Sequence, residues 1–190
     1  MGLTIHFSGA IDHVEDIPQF VEELTDIANS MGWLAQPINM EETDPNFRGV
    51  LVNPAGNCEP LRFLFGRGGR LRNLMDLWDD RVEPNQHSFY SASKIQFASI
   101  ETHIWIVGLL RYLKKHYISD LEVHDEGEYW ETEDLEKLRK KKQLLPEKID
   151  RMASALSAGE PFPEGASTED IVTRIERIAK DLHEDKKLDD

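Results

Sequence analysis

Cysteine, uninterrupted apolar sequence and positive charge are all scarce in this chain. Cys58 is the only cysteine, so neither an intrachain disulfide nor a thiolate metal cluster can form, which fits a reducing, cytoplasmic setting. The longest apolar run, Ile104 to Leu110 with Gly108 inside it, is far below the roughly 20 residues a bilayer requires, and no membrane partner is expected. The start, Met1 to His6, lacks a basic region and a long apolar stretch, so no secretory signal is expected there. His6 also stands where a myristoylation signal takes Ser or Thr. Lysine and arginine number 22 against 36 aspartates and glutamates, a net charge of −14. That excess repels phosphate backbones and favours basic proteins, so nucleic acid is not an expected partner and a protein, basic in character, is.

What is present reads as an α+β chain. At 190 residues it suits one main domain with an appendage. Leu3, Ile5 and Phe7 alternate with Thr4, His6 and Ser8, the period of a half-buried strand. Ile17, Phe20, Val21, Leu24, Ile27, Ala28 and Met31 then recur at helical spacing, with Asp16 as the expected cap, Pro18 in the first turn and Gly32 as the stop. Strands are expected over 33–40, weakened by Pro37, and at 49–52 and 61–65, the last two joined as a hairpin through Pro54 and Gly56. The segment 66–78 reads either as a further hairpin limb or as a short helix, and the hairpin is favoured. Loops are expected at 41–46 and 79–87, and a strand at 88–97.

A central helix should run from a Ser99 cap to about Tyr117, apolar around nearly all its middle and basic at its end, which implies burial on several sides. A strand is expected at 118–124. Beyond Gly127 the pattern changes to short amphipathic helices: one capped by Thr132, one opened by Pro146, then a linker at 161–165 and a last helix carrying Ile171, Ile175, Ile178 and Leu182. The expectation is a two-layer α/β sandwich over 1–130, mostly antiparallel with two core helices, and a helical extension over 131–190. The β-α-β spacing repeats near both ends of the core, which allows an elaborated ferredoxin-like form. The last helix also offers 167–187 as a self-association face.

Two clusters carry candidate chemistry. His124, Asp125, Glu126 and Glu128 follow the central helix, which bears His103. On a strand Glu122, His124 and Glu126 share a face, so His103, His124 and Glu126 are candidate ligands for zinc or another divalent metal, with Asp125 or Glu128 as the base of a metal-assisted hydrolase. The plainer reading is a solvated turn beside a hydrogen-bonded core histidine. The second cluster is Arg67, Gly68, Gly69 and Arg70, with Arg62 and Arg72 nearby. It is a candidate anion site if a helix follows, but it lacks the closing residues of a phosphate loop, and a hairpin turn explains it. Cys58 has no basic sequence neighbour and reads as a plain thiol. No catalytic spacing is present, so the favoured expectation is a non-enzymatic protein-binding or regulatory module of the inhibitor or immunity type, without a cofactor.

Overall fold

The computed structural model describes residues 3–39, 48–66, 68–73 and 91–143, with Ser167, Glu169, Val172, Thr173 and Glu176. The loops expected at 41–46 and 79–87, the strand residues 88–90, the helix from Pro146, the linker at 161–165 and most of the last helix lie outside them. Contacts divide the chain into two compact units, Met1–Lys142 and Gln143–Asp190. In the second, Glu169, Val172, Thr173 and Glu176 are helical.

The first unit is a mixed α+β fold built on two antiparallel three-stranded sheets. In one, β1 (Thr4–Ser8) is central, between β5 (Ser91–Lys94) and β6 (Glu122–Asp125). In the other, β3 (Arg48–Asn53) lies between β2 (Leu34–Asn39) and β4 (Leu61–Phe65). The sheets meet where β4 runs beside β5. There Glu59 N donates to Lys94 O at 3.0 Å, and Arg62 Nη1 donates to Ala92 O at 3.1 Å.

Alternation sets the faces. In β1, Ile5 and Phe7 are buried while Thr4, His6 and Ser8 are half-exposed. Behind that face, α1 (Ile17–Ser30) and α2 (Ile100–His116) bury their apolar sides in the same core. The Phe20 ring of α1 meets Phe63, Phe65 and Tyr117 edge-on, with centroids 5.1–5.8 Å apart. Glu23 ties the helices together by accepting from the hydroxyls of Tyr112 and Tyr117. Those bonds hold the Glu23 carboxyl below its ordinary range.

Several local expectations need correction. Asp16 makes no side-chain cap, because a 3-10 turn, Val14–Asp16, leads directly into α1. Ser99 does cap α2, its Oγ accepting from Thr102 N at 3.0 Å. After β4 the chain turns back as a hairpin limb, as favoured: Phe65 bridges Leu71, and Arg72 N donates to Leu64 O at 2.8 Å, while Arg67 and residues 74–78 lie outside the described residues. Thr132 ends a short helix, α3 (Tyr129–Thr132), instead of starting one. The next helix, over 135–143, is capped by Asp134, whose Oδ1 accepts from Lys137 N at 3.0 Å. β5-α2-β6 is a split β-α-β unit with β1 between its strands. β2 pairs with β3 in the other sheet, so the ladders establish this one unit and the mixed α+β fold and do not by themselves establish the ferredoxin-like form.

α2 departs from expectation most. Its inward face buries His103, Ile106, Val107, Leu110 and Leu113, but Ile104 is half-buried, Gly108 is exposed and Trp105 is 59% exposed. The helix is buried on one side, because the described elements cover one side only. Among the described residues no helix is long and apolar enough to cross a membrane.

Candidate functional site

β6 sends alternate residues to opposite faces, and this splits the expected cluster. Asp125 points inward and is fully buried, where its Oδ2 meets Nε2 of His103 at 2.9 Å. Glu122 and His124 are exposed on the other face. His103 therefore pairs with Asp125 and is not brought together with His124 or Glu126.

Asp125 is saturated. Besides His103, its carboxylate accepts from the backbone N–H groups of Gly127 (2.7 Å), Tyr129 (3.0 Å) and Trp130 (3.1 Å). It thus folds the 126–128 turn and caps α3. Burial pushes its pKa up, but the His103 bond and charge and the backbone donors outweigh this and hold the carboxyl below its ordinary range. A Cβ on Gly127 would lie 2.5 Å from Cε1 of His103 and 2.9 Å from Oδ1 of Asp125, so only glycine lets the turn close over the pair. The His103 ring meets Tyr129 edge-on at 6.3 Å, and its Nδ1 is buried without a hydrogen-bond partner. The described contacts of the pair are internal, which gives it the character of a structural tie between α2, β6 and α3.

Glu128 sits in the left-handed region at φ 58°. Hydrogen bonds from the ammonium groups of Lys137 and Lys141 pull its pKa down to about 2. Both cations therefore hold it as an ion-paired carboxylate at the surface. Lys141 Nζ also donates to Glu126 O at 2.8 Å, and the 135–143 helix is anchored by Lys142 Nζ on Ile95 O and Ala98 O.

His124 and Glu126 find a different companion. The β1–β6 register sets His6 directly opposite His124, and the two rings stack with centroids 6.0 Å apart and 30° between planes. Glu126 Oε2 accepts from Thr4 N at 2.8 Å, while its Oε1 stands 3.9 Å from His6 Nε2. A shallow hollow of about 220 Å³ opens beside the rings, lined by His6, Ser8, Glu122 and His124 among others. Among the described residues no group of three His, Cys, Asp or Glu side chains could hold a metal ion. His6 escaped the sequence reading. Its alternation with Ile5 and Phe7 marked it as outward-facing, but only strand pairing brings it to His124.

The arginine cluster does not converge on a described anion site. Arg67 lies outside the described residues, and Arg62 is spent on Ala92 O. Gly69 N donates to Gly66 O at 2.9 Å and Gly66 N to Arg70 O at 3.0 Å, so those donors close the hairpin turn. Gly68 and Arg70 are exposed on it. Cys58 is half-buried, its thiol donating to Glu59 O at 3.2 Å, and burial pushes its pKa up. Compared with family models, curated proteins and solved structures, the chain matches none.

Proposed function

We propose that the protein is a binding module for a basic protein, received on the outward face of α2. The observation that carries this reading is Trp105, 59% exposed on a helix whose other side is core. Half-buried Ile104 adjoins it, and Phe97, just ahead of the helix, is 61% exposed. Large aromatic side chains of this kind anchor protein interfaces. Gly108 supports the reading independently. It lies one turn from Trp105, and a Cβ built there meets none of the described residues within 4 Å. Packing among the described residues therefore gives no reason for a residue that costs a helix about 1 kcal/mol relative to alanine. A partner approaching the helix backbone closely does. Net charge of −14 favours a basic partner through long-range attraction.

The test is a paired capture from one native lysate at low salt, with immobilised wild type and its Trp105→Arg variant. Basic proteins held by the wild type should be missing from the variant and released by added salt. An identical retained set on both proteins contradicts the proposal.

A further inference from the structure

We propose that the outward side of α2 is self-complementary and pairs, antiparallel and about a two-fold axis, with the same helix of a second copy, so that the docking face stays covered until its partner arrives. The inference rests on the reading of that face as a docking surface and names its regulation. Glu101, Trp105, Gly108, Tyr112 and Lys115 follow one another at alternate steps of four and three residues. That is the spacing of the seam along which two helices pack. All five are exposed except Tyr112, which is half-buried. The stripe is also polarised: Glu101 stands in the first turn, and Lys114, Lys115 and His116 stand in the last.

Reversing the helix fits this stripe to itself. A two-fold interface sets residue i against j and j against i. With the axis midway between Trp105 and Gly108, each indole lies over the glycine of the other copy. A Cβ built on Gly108 meets none of the described residues within 4 Å, and a position without one lets a second backbone come close. Glu101 then comes level with Tyr112 of the second copy and, at 1.5 Å rise per residue, lies about 4.5 Å along the axis from its Lys115. Symmetry doubles each contact, so two acid–base pairs flank two Trp–Gly contacts. A parallel pair would set Trp105 against Trp105 and Lys115 against Lys115. The end charges alone suit the dipole of a single helix, but the dipole asks nothing of Trp105 or Gly108. Each copy carries −14, so pairing works against a long-range repulsion that salt screens. Dimerisation should therefore tighten with added salt, whereas capture of a basic protein weakens. One helix pair falls at or below the low end of specific interfaces, roughly 1,200 Å², which keeps the pairing reversible.

The experiment is sedimentation velocity of the purified full-length chain over a range of concentration and salt, beside Trp105→Arg, Gly108→Leu, Glu101→Lys and Lys115→Glu. The expected result is a monomer–dimer equilibrium in the wild type, tighter at higher salt and lost in Trp105→Arg and Gly108→Leu. Each charge variant alone should dimerise about fivefold more weakly, since it turns two attractive pairs into repulsive ones. An equimolar mixture of Glu101→Lys and Lys115→Glu should recover the dimer, because each then meets opposite charge at both positions. Association through any other surface would not be recovered in this way, and a variant that failed to fold would not be recovered either. A wild type that stays monomeric throughout, a dimer undiminished in Trp105→Arg and Gly108→Leu, or a mixture no tighter than its components would overturn the pairing and leave the docking reading to the lysate capture. An identical retained set in that capture, with the dimer intact, removes the partner and leaves the pairing in place.

Discussion

His103 with Asp125 and His6 with Glu126 are both histidine–carboxylate pairs, and their carboxylates are adjacent in sequence. In the first, both side chains are fully buried and the nitrogen–oxygen distance is 2.9 Å; in the second both are 38% exposed and the gap is 3.9 Å. Strand alternation alone produces the difference, since consecutive residues take opposite faces. Three backbone donors and one imidazole consume the inner carboxylate. The outer one has a single backbone donor among its hydrogen bonds described above, and its second oxygen faces an imidazole. Burial has turned the same chemistry into a fastening on one side and left it accessible on the other.

The sharpest way to test that contrast is to remove the inner carboxylate. Asp125→Ala leaves His103 and three N–H groups without their acceptor, and breaking a buried pair in this way costs about 3–5 kcal/mol. Urea denaturation should show it as a large drop in midpoint, whereas Glu126→Gln should move the midpoint little. The inner pair should also show in acid. Because the folded-state pKa of Asp125 is depressed, its stabilisation is fully present above about pH 4, the ordinary carboxylate value, and is lost as pH falls through the lower folded-state pKa. Acid unfolding of the wild type should therefore be steeper in that range than that of Asp125→Asn.

Gly127→Ala probes the closure of the turn and should destabilise by about 1–3 kcal/mol, since the added methyl meets His103, Asp125 and Leu138 within 3.0 Å. On the other side of α2, Gly108→Ala should raise stability by about 1 kcal/mol, because the position is helical and open. If Gly108 serves a partner, that gain comes with weaker capture. Smallest of all is Trp105→Ala, expected to shift stability by no more than about 0.5 kcal/mol, as most exposed substitutions do. A drop of several kcal/mol there would mean that Trp105 belongs to the core and not to a docking face.

How far the sequence anticipated these features follows from their range. Features decided within a few residues were legible: the alternation of β1, the α1 stripe, the Ser99 cap and the β3–β4 hairpin. The His103–Asp125 pair was not, because its partner depends on which residue of β6 faces inward, and a shift of one residue exchanges Asp125 for His124. Nor was the open side of α2, since apolar residues around a helix do not say which of them the rest of the chain covers. The outer histidines required the β1–β6 register, a pairing across more than half the chain that no local pattern encodes.

Thermal melting of His103→Gln and His6→Gln beside the wild type separates the two pairs in one measurement. His103→Gln should melt well below the wild type, because it breaks the fully buried pair, and His6→Gln should melt with the wild type, because its pair is 38% exposed. A His103→Gln variant that melts with the wild type, or a large drop in His6→Gln, would contradict the division between a buried fastening and an accessible pair.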